Sequence, residues 1–384
     1  MPDHYQTQAE KALAYTAQQI AKMHQVDPDV ISRGQMFTVE PEVQQRLEQK
    51  RMMIDPFLSK ITNLLVPEIS GKKVSMLINE PVSRRTAQRG PRKPEDKLKL
   101  LQSDYQMEQV ERDVEMGWHK LAKWTGKFPE FFRRFMSLCN QRRAQDILIT
   151  GWHGQFAEVT TDPVTYPKLQ DLNIGWIQHA INVAPEKILG IKPDGTVDEI
   201  RVGEGGDYEN MHELVHYLAE KYIDPIHIDR TDISCITGRE LIADNNGKLY
   251  ANWAGTSTPS EQRLIESIIA LQNYGRRPIE MPAFAPQRLV MLSPLDNISR
   301  YVQAGTVRVK PAYDDHDTKA IKDLEYLWES FQIEDLDCFA MVHPDAISLK
   351  NKAGEWVPLS AEKKWAVTDP TPDSVDPALS EPIV

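Results

Sequence analysis

The sequence predicts an α+β fold, and three observations carry that expectation. One amphipathic helix stands out over 128–150. Strand-like runs gather late, over 286–345. A basic, proline-containing stretch over 79–100 sits between two extended runs. Helices and strands do not alternate regularly, so a parallel βαβ sheet is not indicated. Nor do the elements divide into clean consecutive domains, although 384 residues could hold two or three.

The first element is a helix over 6–24, where Ala9, Leu13, Ala17, Ile20 and Ala21 recur at helical spacing. Its face is weak and alanine-rich, so it needs something to pack on. A second helix opens at Pro41, with Thr38 or Glu40 as cap and Val43 and Leu47 on its apolar face. Lys72 to Ile78 is strand-like, and beyond 100 Tyr105, Met107 and Gln109 alternate with polar neighbours. Between these runs lie Arg84, Arg85, Arg89, Arg92, Lys93, Lys97 and Lys99. The whole reads as one long hairpin with a basic tip. The tip lacks the interleaved aromatics that stack on single-stranded nucleic acid.

In the helix 128–150, Phe131, Phe132, Phe135, Leu138, Cys139 and Ile147 to Ile149 form the apolar stripe. Arg133, Arg134, Arg142 and Arg143 lie off it, and Gly151 is placed to end it. "LNIGWIQHAINVAPEKIL" is a shorter helix closed near Pro185. Asp207 is expected to cap the helix 208–223. A strand at "ISCIT", a helix at "TPSEQRLIESIIALQ" capped by Thr258 or Ser260, and the late strands follow. The tail is rich in Pro, Asp and Ser and is expected to be disordered.

A net charge of −11 argues against a broad nucleic-acid-binding surface, which needs clustered Lys and Arg. Cys139, Cys235 and Cys338 are far apart and form no C-x-x-C pair, which fits a reducing compartment. No apolar signal core and no run of about 18 apolar residues is present, so no membrane partner is expected. The glycines of "RVGEGGDY" fail the G-x-G-x-x-G spacing at Tyr208.

One motif points to chemistry. His212-Glu213-Leu214-Val215-His216 fits H-E-x-x-H, in which two histidines one turn apart bind zinc and the glutamate acts as general base. Glu240, in Glu240-x-x-x-Asp244, could be the third ligand. The helical wheel opposes this reading. Met211, Leu214, Val215, Leu218 and Tyr222 share one stripe, and the histidines lie roughly 100–140° from its centre. If the histidines act otherwise, a subunit contact that responds near pH ~6.5 is their expected place.

Six stretches, in order, carry a resemblance: "FTVEPEVQQRL", "IDPFLSKITNLLVPEISGKKV", "GWIQHAINVAPEKIL", "DEIRVGEGGDYENMHELV", "GRELIAD" and "LDNISRY". From about Phe37 to Val342 the chain resembles the major capsid proteins of P2-like (Peduovirus) tailed phages. The resemblance implies a Hong Kong 97-like fold, with an N-terminal segment 1–36, an N-arm 37–66 and an extended E-loop 67–115. A peripheral domain 116–202 with spine helix 128–150, an axial domain 203–285, a return to the peripheral domain over 286–345 and a tail 346–384 would complete it. It also implies a structural protein, with no catalytic residues and no cofactor. Copies would form the hexamers and pentamers of an icosahedral shell around double-stranded DNA, without sequence specificity. Scaffolding protein, prohead protease and portal protein would be partners, and assembly would take place in the host cytoplasm before the chain resides in the virion. The segment 1–36 resembles the region removed on maturation, which places a cut between Met36 and Phe37. From their charge alone, Arg84, Arg85, Arg89 and Arg92 are expected to meet acidic surface on a neighbouring subunit. The alternative function remains a zinc metallopeptidase using His212, Glu213 and His216.

Overall fold

The computed structural model describes residues 15, 17–77, 82–83, 96–121, 128–192, 195–244, 273–315, 317–351 and 354–358. A helix over 17–24 (α1) leads into α2 (Pro28–Ser32), capped by the Asp27 side chain on Asp29 N–H at 3.0 Å. Then come β1 (Phe37–Thr38), α3 (Pro41–Met52) and β2 (Thr62–Val66). Pro41 opens α3 as expected, after Glu40. β3 (Ser70–Leu77) and β4 (Lys99–Gln106) pair antiparallel, with Ser70 opposite Gln106 and Leu77 opposite Lys99. They form the stem of the expected hairpin. β5 (Glu108–Glu111), β6 (Val114–Gly117) and a single turn, α4 (Trp118–Leu121), precede α5 (Phe128–His153).

α5 runs 26 residues and does not stop at Gly151. A Cβ at Gly151 would stand 2.6 Å from Cη2 of Trp176, which opens α6 (Trp176–Val183). The glycine therefore admits a crossing helix and is no C-cap. Two further expectations on α5 reverse. Leu138 is 63% exposed, whereas Arg143 is buried. The reason lies opposite, in carboxylates described below.

β7 (Ile188–Leu189), β8 (Ile200–Val202), α7 (Met211–Tyr222), β9 (Ile233–Thr237) and a helix over 239–244 (α8) follow. The cap of α7 is Asn210, whose side chain accepts from Glu213 N–H at 3.0 Å, while the Glu213 carboxylate reaches back to Glu209 N–H at 2.8 Å. This capping box displaces Asp207, which accepts from Arg201 N–H instead. The helix expected over 258–272 lies outside the described residues. β10 (Asn273–Tyr274), β11 (Arg277–Glu280), β12 (Val290–Pro294), β13 (Ile298–Gln303), β14 (Arg308–Asp315), β15 (Ala320–Ile333), β16 (Ala340–Val342), β17 (Ile347–Lys350) and β18 (Trp356–Val357) complete the chain.

Two large sheets result. One has seven strands, β1-β14-β15-β13-β2 with β5 and β6 also on β15. The other runs β10-β11-β9-β12-β16-β7. The late strands, expected to return together to one region, divide between them. The second sheet explains why. Ile236, Met291 and Met341 face one core, with Trp152, Trp176 and Phe339. Cys235, Leu292 and Val342 face another, under Leu214, Val215 and Leu218 of α7. A sheet buried on both faces needs unbroken apolar strands, as β9, β12 and β16 are.

The tail starts later than 346. β17 pairs with β8 and β18, and Ile347 and Leu349 are buried in the α7 core. These apolar residues alternate and give the strand a buried face, which the polar composition beyond obscures. Residues 359–384 lie outside the described residues.

Candidate functional site

The zinc set does not come together. His212 turns its ring edge-on to Tyr274 at 5.1 Å, and its Nδ1 accepts from Gly275 N–H at 3.4 Å. Burial lowers its pKa. This is a contact within the chain, and it leaves His212 half-buried. His216 is exposed. Glu213 is committed to the helix cap. Glu240 is held bidentately by Arg288, Nε and Nη2 each 3.0 Å from a carboxylate oxygen, and Arg288 also donates to Ile347 O and Val357 O. Among the described residues no three His, Cys, Asp or Glu side chains form a group that could hold a metal ion. None of their helices is long and apolar enough to cross a membrane.

What the fold does assemble is a buried chain of alternating charges. Asp323 pairs with Arg143 at 2.9 Å and Arg143 with Glu325 at 3.0 Å. Arg51 bridges Glu325 and Glu48 at 2.7 Å each. Arg300 bridges Glu48 and Glu329 at 2.6 Å each, and Arg112 closes on Glu329. Four guanidiniums face four carboxylates, so the set is neutral. Buried charges are tolerable when each is paired in this way. Burial pushes Glu325 and Glu329 upward, but the flanking guanidiniums prevail and hold both at about 2. The chain ties α3, α5 and the β5–β6 link to β13 and β15. Sequence reading missed it. The only signal is the alternation of Asp323, Glu325, Leu327 and Glu329 along β15, which does not say which face is inside.

The N-terminal segment is docked on this assembly. Ile20, Ala21 and Ile31 are buried against Met116, Phe131, Phe135, Cys139 and Ile321. His24 is buried edge-on to Phe37 at 5.4 Å, and burial brings its pKa to about 4 against the opposing pull of Glu325. It lines a cavity of about 140 Å³ that Arg51, Arg143 and Glu325 also line. Met36 is 45% exposed, whereas Phe37 is paired with Val309. The hairpin stem stands on another cluster, Tyr105, Met107 and Tyr301 with Ile69 and Trp328. Arg84, Arg85, Arg89 and Arg92 lie outside the described residues.

The P2 family of phage major capsid proteins matches residues 12–344. The chain belongs to that family. Its fold is the Hong Kong 97-like capsid fold and its role is structural: it is built to associate with copies of itself in a virion capsid. Relatives include the "Capsid proteins" of Escherichia phage P2, 26% identical over 322 residues, covering 81% of this chain and 88% of that protein. The major capsid protein of Serratia phage KSP20 is 26% identical over 302 residues, covering 77% and 85%. Among solved structures, a chain of the satellite phage P4 procapsid that includes the size determination protein superposes with a TM-score of 0.67 at 25% identity, covering 82% of this chain and 93% of that one. Nothing in these comparisons supports the metallopeptidase alternative.

Proposed function

We propose that the chain forms the hexamers and pentamers of an icosahedral shell that encloses double-stranded DNA without reading its sequence. It carries no activity of its own. Scaffolding protein, prohead protease and portal protein are its partners, in the host cytoplasm. Residues 37–66 act as N-arm, 67–115 as E-loop, 116–202 as peripheral domain and 203–285 as axial domain, with 286–345 closing the molecule.

The observation that carries this reading is the β3–β4 stem. It pairs eight residues with eight, yet joins neither large sheet. Its base packs on Tyr301 and Trp328, but beyond that base a two-stranded ribbon is marginal in water, so its further partner surface is sought on another copy. Arg84, Arg85, Arg89 and Arg92 at its tip would meet carboxylates there, giving register more than affinity.

The segment 1–36 is removed between Met36 and Phe37. The exposed Met36 follows a turn at Gly34, whose φ is +61°, and the sheet begins one residue later. Co-expression with scaffold and protease tests both parts. Closed shells in sedimentation and electron microscopy, whose subunit begins at Phe37 by N-terminal sequencing, are expected. A persistent monomer would overturn the first part, and particles beginning at Met1 or Pro2 the second.

A further inference from the structure

The hairpin stem is held to the body by a small side-chain clamp. Lys73, on β3, reaches Glu334 at 3.3 Å and Ile333 O at 3.1 Å, just past the end of β15. The Glu334 carboxylate also accepts from Tyr301 Oη at 3.0 Å and from Ser299 Oγ. Tyr105, on β4, stands edge-on to Tyr301 at 5.2 Å, and Lys73 Nζ lies 6.0 Å from the same ring. The Tyr105 ring covers Gly71, where a Cβ would stand 2.7 Å from its hydroxyl. Both strands of the stem are therefore fixed to one carboxylate and one ring of the body.

We infer that Lys73 and Glu334 are positioning residues for assembly: their pairing sets the direction in which the hairpin leaves the body. The inference rests on the proposed role of the hairpin as a contact to a neighbouring copy. Leverage gives it force. Eight residues at about 3.4 Å each carry the stem roughly 24 Å beyond its base, so a tilt of ~10° moves its end about 4 Å. That displacement exceeds what an ion pair or hydrogen bond tolerates. The pair itself is partly exposed, with side chains 16% and 30% accessible, so its share in overall stability is small. Its effect falls on direction.

Spin labels at Val74 and Ile226, both exposed, measure that direction by pulsed electron resonance in Val74→Cys/Ile226→Cys. The three native cysteines are buried and stay unlabelled. A narrow distance distribution is expected, which broadens in Lys73→Met and returns in Lys73→Arg. Shell yield should fall at least tenfold in Lys73→Met and recover in Lys73→Arg, with melting temperature little changed, since Glu334 keeps its bonds from Tyr301 and Ser299. An unchanged distribution in Lys73→Met overturns the clamp. A broadened distribution with undiminished shells overturns its role in assembly. Failure of the unaltered chain to form shells would instead count against the proposed function.

Discussion

Glu325 lies between two guanidiniums, Arg51 at 2.7 Å and Arg143 at 3.0 Å, and both are buried with it. Glu325→Ala would leave each arginine with one carboxylate fewer in a largely buried site. Removing one partner of a buried pair costs about 3–5 kcal/mol, several times the value of a surface pair. Denaturant unfolding checks this, and a loss below ~1 kcal/mol would contradict the picture of an interlocked chain. The same residue shows where sequence reading fails. Arg143 falls off the apolar stripe of α5, and Leu138 falls on it. Asp323 and Glu325 on β15 draw Arg143 inward, and no periodicity within α5 contains that information. The two histidines of α7 were different. Their distance from the apolar stripe was legible on the wheel, and the structure buries that stripe except Tyr222 and exposes His216, but His212 is half-buried against Tyr274.

At the scale of elements, the α5–α6 crossing is decided by one missing side chain. Alanine at Gly151 would gain about 1 kcal/mol in helix propensity, but its Cβ would press on the buried Trp176 ring. Overpacking of this kind costs about 1–3 kcal/mol, so Gly151→Ala should lower the melting temperature. A higher melting temperature would show that the glycine is an ordinary helix-interior residue. The first strand of the hairpin stem was legible locally, but of the alternating Tyr105, Met107 and Gln109 only Tyr105 lies in β4, and Gln109 pairs with Trp328 in the large sheet. β17 was not legible. Its neighbour β8 lies about 150 residues earlier, and only that pairing shows that Ile347 and Leu349 have a core to enter. The helix α5 was legible in place and length to within a few residues, since its apolar repeat is local.

For the buried histidines and the two paired glutamates of β15, proton uptake on unfolding runs in one direction, opposed by Glu108, Asp113 and Asp146, whose carboxyl pKa values burial raises. His24, His179 and His343 are each brought to about 4, chiefly by burial, and Glu325 and Glu329 are held at about 2. In both classes the folded pKa lies below the unfolded one, so the unfolded chain binds more protons. Stability is full above about pH 6.5, falls toward pH 4 as the histidines charge on unfolding, and falls again toward pH 2 as the carboxylates protonate. Denaturant midpoints at pH 7, 5 and 3 should decline in that order. Equal midpoints at pH 7 and pH 3 would contradict the assignment.

The capsid role itself depends on how copies meet, and one measurement addresses it most directly. A cryo-electron microscopy reconstruction of particles formed by this chain with scaffold and protease should show a closed icosahedral shell in which the hairpin of one copy, beyond its base at Lys73 and Tyr105, lies on the body of the next. Particles that fail to close, or a shell in which that hairpin folds back on its own subunit, would contradict it.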